Sequence, residues 1–167
     1  MNNLDFDIVI VGLGPTGGTL ANLLAMNNVS VLILEKEANI YNLPRAVHFD
    51  DEIMRVFQTI GITKSLSKKL IINKGTKFID DNGKLLLDWP RPKKITENGW
   101  YPSYRFHQPD LERSLRHNLK KYKNVTIVQN AEVYKTINKK DYVEVNYKNT
   151  KTNKIHSLKS KYLIGCD

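Results

Sequence analysis

The stretch Asp7 to Glu35, DIVIVGLGPTGGTLANLLAMNNVSVLILE, constrains the fold more than any other part of the chain. Ile8 to Val11 is a short apolar, β-branched run, which suits a strand buried on both faces. Gly12-x-Gly14-x-x-Gly17 follows. Leu20, Leu23 and Leu24 then recur at helical spacing, and Val29 to Leu34 reads as a second strand with Glu35 at its carboxyl end. Each glycine has a physical task. Gly12 allows a tight turn out of the strand, Gly14 lets a diphosphate approach the backbone, and Gly17 lets the helix pack against the strand. The helix aims free N–H groups and about half a positive charge at that diphosphate. Pro15 fits the first helical turn, where no amide donor is missed, and Thr16 shares that turn. Glu35 can accept hydrogen bonds from an adenosine ribose and would repel a 2′-phosphate. The unit therefore points to FAD or NAD rather than NADP, without choosing between them.

Composition limits the alternatives. The 167 residues suffice for one domain with a real core. No run of 18 apolar residues exists, so no membrane span is expected. The start, MNNLDFD, lacks the basic and apolar segments of a secretory leader. Cys166 is the sole cysteine, which excludes an internal disulfide and suits a cytoplasmic location. The net charge of +9 arises from 20 Lys and 6 Arg against 17 acids. No arginine-rich helix or aromatic-interleaved basic motif accompanies it, so a lysine-rich solvated surface is favoured over nucleic acid or a membrane as partner.

Along the chain, Asn27-Asn28 ends the first helix, since asparagine tolerates the left-handed conformation. Asp50 or Asp51 can cap a helix over Glu52 to Ile60 with Ile53, Val56, Phe57 and Ile60 on one face, stopped at Gly61. Ile71 to Asp88 reads as β structure around an Asp80-Asp81-Asn82-Gly83 hairpin turn. Pro90 to Pro102 is a loop. Pro109 opens a helix in which Leu111, Leu115 and Leu119 share a face. Val125 to Val128 is a strand. Glu132 to Ile137, Tyr142 to Tyr147 and Ile155 to Leu158 form a β-meander, placed at about residues 131–159. A separate buried strand over Tyr162 to Asp167 follows. His48 and His107 have no evident nucleophile partner and read as structural. Asp50, Asp51 and Glu52 fit a helix start better than a metal site, so no catalytic or metal residue is assigned.

Four stretches carry a resemblance to a known family: GLGPTG with Glu35, LPRAVHFDDEIMRVFQ (Leu43 to Gln58), YRFHQPDLERSLR (Tyr104 to Arg116) and YLIGCD (Tyr162 to Asp167). The chain resembles the class A FAD-dependent aromatic hydroxylases, most of all the bacterial 3-(3-hydroxyphenyl)propionate hydroxylase group. The matches run from end to end of this chain and correspond to roughly the first third of a family member. The resemblance implies an α/β fold: a Rossmann-like FAD-binding fold of the glutathione-reductase type with a β-meander, truncated at its C-terminus, in a single incomplete domain over residues 1–167. It implies that Gly12, Gly14, Pro15, Thr16 and Gly17 hold the FAD diphosphate. Glu35, with Lys36 beside it, would hold the adenosine ribose. Arg45 would reach the diphosphate, which suits the planar guanidinium fork. Gln108 would face the ribityl chain, Val133 would give a backbone contact to adenine, and Asp167 would be the acid of an Asp-Gly motif. NADH or NADPH is implied as co-substrate and a phenolic aromatic acid as substrate.

The resemblance also implies missing parts, including the substrate-binding sheet. The last strand is expected to leave a sheet edge uncovered, with marginal stability and weakened FAD binding. Two readings of the chain follow. It is the FAD-binding piece of a monooxygenase that works with a separately made remainder, or it is a non-catalytic remnant that binds nucleotide weakly or not at all.

Overall fold

The computed structural model describes residues 4–167. The reading of the first residues as lacking a leader falls in part on residues 1–3, outside the described residues. The first elements are β1 (Phe6–Val11), α1 (Pro15–Met26), β2 (Val31–Glu35), β3 (His48–Phe49), α2 (Asp51–Thr59) and α3 (Thr63–Leu66). A 3-10 turn (Ser67–Lys69) leads to β4 (Ile71–Ile72), β5 (Gly75–Ile79), β6 (Leu85–Pro90) and β7 (Tyr104–Arg105). Then come α4 (Gln108–Leu119), β8 (Val125–Gln129), β9 (Ala131–Asn138), β10 (Val143–Asn149) and β11 (Ile155–Gly165). The chain divides into two compact units. The first runs to Leu43 and resumes over Leu111–Asp167; the second is Pro44–Asp110. Among the described residues, no helix is long and apolar enough to cross a membrane.

The first unit is built on a six-stranded sheet in the order β8-β2-β1-β11-β10-β9. Its β8, β2, β1 and β11 run parallel, whereas β10 pairs antiparallel with both β11 and β9. The apolar runs go where a two-face-buried strand should. All five residues of β2 are buried. Alternate side chains serve opposite faces. Ile10, Val31 and Ile33 join Leu13, Ala21 and Leu119 on one side. Val9, Leu32 and Leu34 join Ala131 and Val145 on the other. On the first side α1 lies close to α4: a Cβ on Gly18 would stand 3.3 Å from the Leu115 side chain. Asn22, fully buried, donates to the carbonyls of Gly18 (2.7 Å) and Leu115 (3.2 Å) and accepts from Asn118 at 2.8 Å, which fixes the two helices together. Leu111, Leu115 and Leu119 are all buried, as their spacing predicts. At the end of α1, Asn28 takes the left-handed conformation (φ 59°).

One expectation for the C-terminal part is corrected. The segments 155–158 and 162–167 are not separate strands; β11 is continuous over Ile155–Gly165. Its first half pairs with β10 through Val143↔Ser160, and its second half pairs with β1 from Phe6↔Ser160 onward. Ser160 is the change-over point, fully buried, with its hydroxyl donated to the Tyr162 carbonyl at 2.9 Å. The polar Lys159-Ser160-Lys161 reads as a break in sequence, yet backbone pairing on both sides carries the strand through it. The uncovered edge expected of the last strand is present over its second half: β10 ends its pairing at Ser160, so residues 161–165 pair with β1 alone, while the sheet as a whole ends on β8 and β9.

The second unit holds a three-stranded sheet, β3-β7-β4, and the β5-β6 hairpin. Its core is aromatic: Phe49 lies 5.2 Å from Phe57 edge to face, 5.7 Å from Tyr104 and 5.1 Å from Phe106. Asp50 caps α2, its Oδ1 accepting from the Ile53 amide at 3.0 Å, and Gly61 ends the turn after it at φ 83°. The expected face of α2 is shifted by one position. Met54, Phe57 and Ile60 are buried, and Ile53 is 40% exposed. Positions 53 and 54 both align with 57 on a helix, and the edge-to-face packing of Phe57 on Phe49 goes with burial of 54. The hairpin turn forms as its Asn-Gly signal predicts, with Gly83 at φ 81° and Asp80 Oδ1 accepting from the amides of Asn82 (3.0 Å) and Lys84 (2.8 Å).

Candidate functional site

In the first unit the carboxyl ends of β1 and β11 bring Gly12 and Asp167 together, and β1's other neighbour, β2, ends on Glu35. This is the end at which open α/β sheets bind ligands. The three glycines meet three different surroundings. Gly12 has φ +96°, and a Cβ there would stand 2.8 Å from the backbone of Cys166 and Asp167. A Cβ on Gly17 would land on the Gly12 carbonyl oxygen. Gly14 differs: a Cβ there would meet nothing within 4 Å. Its backbone (φ −77°, ψ −167°) is open to any residue. Gly12 and Gly17 are thus explained by the protein's own packing, whereas nothing in the chain requires glycine at 14. The open approach suits a ligand held against the backbone.

Gly14 is also the N-cap of α1, and it gives the first turn no side-chain cap. Pro15 occupies the first helical position, and no acidic residue lies in that turn. Thr16 is exposed in the same first turn, whose free amides an anion can satisfy. Glu35 is 8% exposed. Its Oε2 accepts from the Leu13 amide at 2.7 Å and its Oε1 from the Glu37 amide at 2.8 Å. These bonds fix the carboxylate and leave lone pairs for further donors. Lys36 follows on the exposed side. Val133 lies in β9, its side chain packed on the Val9–Leu34 face of the core. Burial, and secondly the Asp167 carboxylate, push the Cys166 thiol up from its usual pKa, which disfavours the reactive thiolate.

The other two predicted residues belong to the second unit. Gln108 is buried, and its Oε1 accepts from the amides of Arg45 (2.9 Å) and Ala46 (2.8 Å). The glutamine therefore sets the backbone from which Arg45 projects. The expectation that His48 has no nucleophile partner is corrected: its Nε2 lies 2.7 Å from Ser103 Oγ. That hydroxyl also accepts from Asn73 Nδ2 at 2.8 Å, and Ser103 is wholly buried, so the trio is a polar clamp rather than a reactive pair. His107 pairs with Asp110 at 3.1 Å. Asp51 Oδ2 accepts from Thr96 (2.6 Å) and Asn98 (2.8 Å), and these bonds hold its pKa below the usual carboxylate value.

Sequence reading assigned no role to Arg116. Its Nη2 donates to the Leu13 carbonyl at 3.1 Å and lies 3.4 Å from Glu112 Oε2. The two side chains are only 15% and 5% exposed. Arg116 thus buttresses the glycine turn from the α4 side. The signal for it was the Glu112–Arg116 spacing of i, i+4, which favours an ion pair.

The model of the FAD binding domain family matches residues 5–167. The chain belongs to this family. FAD is the family's cofactor. Relatives include a probable NADH-specific resorcinol 4-hydroxylase of Rhodococcus jostii, 33% identical over 164 residues, covering 96% of this chain and 30% of the relative. A 3-(3-hydroxy-phenyl)propionate/3-hydroxycinnamic acid hydroxylase of Mycolicibacterium gilvum is 32% identical, covering 98% of this chain and 28% of its own length. One of the same name from Burkholderia cenocepacia is 39% identical over 126 residues, 75% of this chain and 23% of its own. The chain spans less than a third of these curated relatives. The p-nitrophenol 4-monooxygenase of Pseudomonas putida superposes with TM-score 0.86 at 23% identity, covering all of this chain and 42% of that one. The flavin-dependent monooxygenase PieE, solved with FAD and substrate, gives the same TM-score at 19% identity. The Rossmann-like FAD-binding fold is therefore established.

Proposed function

We propose that this chain is the FAD-binding part of a flavin-dependent monooxygenase that hydroxylates a phenolic aromatic acid with NADH or NADPH and oxygen. The observation that carries the cofactor assignment is the surroundings of Gly14, open and conformationally ordinary beside an uncapped helix N-terminus. In this reading Gly12, Gly14, Pro15, Thr16 and Gly17 hold the diphosphate, and Glu35 with Lys36 receives the ribose. Arg45, Gln108, Val133 and Asp167 complete the set. The flavin supplies the oxygen chemistry; these residues bind and orient it. The phenolic substrate is proposed from the printed activities of the relatives.

The test is a titration of the chain with FAD, following the flavin spectrum and the melting temperature, beside two variants. Gly14→Val should fold, at a helix-cap cost of about 1 kcal/mol or less, and lose at least about tenfold in FAD affinity. Gly17→Val should fail to fold, because its Cβ has no room. A folded chain that ignores FAD, or a Gly14→Val chain that binds it unchanged, would overturn the assignment.

A further inference from the structure

A cavity of about 780 Å³ opens in the first unit, bounded by α4, β8 and the loop after β2. That size lies within the roughly 300–1,000 Å³ common to small-molecule sites. Arg113, Arg116, His117 and Lys120 line one wall. Their spacing of i, i+3, i+4 and i+7 places them in one stripe along the helix and its end. Asn39, Asn42 and Gln129 contribute amides, Ile40 and Ile127 contribute aliphatic surface, and no acid lines the space. Cations near a helix C-terminus also suit its dipole. The dipole explains neither Arg113, which stands mid-helix, nor a facing wall free of acids.

This cavity is not the glycine-turn site. None of the residues read above as holding FAD lines it. Leu13 divides the two: its amide donates to Glu35 at 2.7 Å, and its carbonyl accepts from Arg116 at 3.1 Å. Arg116 is held in place by that carbonyl and by Glu112, and its Nε is buried with no hydrogen-bond partner.

We propose that the cavity is a second nucleotide site, taking the phosphate and base of an adenine nucleotide while FAD occupies the glycine turn. The chemistry is specific. Arginine and lysine pair with phosphate oxygens, amide side chains match the edge of adenine, and isoleucines on two walls offer apolar surface to its faces. A 2′-phosphate, which Glu35 would repel, meets no carboxylate in the lining, and the nearby Glu112 is already paired with Arg116. The nucleotide implied is the adenosine half of the nicotinamide co-substrate. That identification rests on the hydroxylase reading; the phosphate site does not.

The experiment is a calorimetric and NMR titration of the full chain with 2′,5′-ADP, with and without saturating FAD. Inorganic phosphate and adenosine serve as fragments. The expected result is saturable 2′,5′-ADP binding that FAD leaves intact, with movement of the His117 ring signals. Lys120→Glu should weaken it about tenfold, and Arg116→Lys should weaken it by removing the fork. Lys123→Glu, the same charge change at an exposed position outside the cavity, should not matter. Gly14→Val should lose FAD and keep 2′,5′-ADP, which separates this site from the FAD assignment. The proposal is overturned by absence of binding, by displacement with FAD, by equal effects of Lys120→Glu and Lys123→Glu, or by phosphate alone binding as tightly as the nucleotide.

Discussion

Two strands of similar composition have opposite fates. β2, VLILE, is buried at every position, whereas β6, LLLDWP, is exposed at every position. Leu86 is 65% exposed, Leu85 50% and Trp89 51%. The difference lies in partners. β2 has a strand on each side and a core cluster on each face. β6 has one antiparallel neighbour, β5, whose Phe78 and Ile79 are themselves 47% and 61% exposed. An apolar run therefore specifies extended backbone in both places, and only the neighbours decide whether that backbone buries anything. Exposed apolar side chains gathered on one hairpin offer a place where something else can pack.

The comparison can be broken most directly at the centre of β2. Ile33→Ala should cost about 3 kcal/mol, through lost burial and the cavity left behind, read as a fall in the denaturation midpoint. A loss below about 1 kcal/mol would mean that the sheet core repacks freely. An intermediate effect belongs to the second unit. Hydrogen bonds from Thr96 and Asn98 hold the folded pKa of Asp51 below its unfolded value. Its contribution is then fully present above the unfolded pKa and fades as pH falls through the lower folded one. Asp51→Asn should lower stability near neutrality, where the contribution is fully present, and should match the unaltered chain at low pH, so that the acid limb of the stability–pH curve is flatter. A curve of the same shape would show that other carboxylates govern acid unfolding. The smallest effect is expected at Leu86. Leu86→Ser should alter stability by no more than about 0.5 kcal/mol, as for a surface position, and should reduce self-association at high concentration. A loss as large as that of Ile33→Ala would show that the hairpin face is covered after all.

Much of the fold was legible locally. The glycine turn, the strand and helix flanking it, the Asp50 cap and the Asn82-Gly83 hairpin are short-range devices whose chemistry is complete within a few residues. The residues proposed to hold the cofactor in the first unit could be picked out for the same reason, since a diphosphate site at a helix start is built from consecutive backbone amides. Arg116 was not. Its meaning depends on the Leu13 carbonyl, 103 residues away in the chain. His48 met Ser103 across a comparable gap of 55 residues, and the burying face of α2 depended on Phe49 meeting Phe57.

The amino-acid sequence alone determined the βαβ unit, the identities of Gly12, Gly14, Gly17 and Glu35, and the turns, because backbone conformation and capping answer to near neighbours. Tertiary structure alone decided three other matters. It joined residues 155–165 into one strand by pairing Ser160 with both Phe6 and Val143. It left the hairpin exposed while burying β2. It set three cations and a histidine of one helix stripe along one wall of a cavity. Each of these depends on which distant surfaces meet, and periodicity along a chain specifies the faces of an element without specifying what those faces touch.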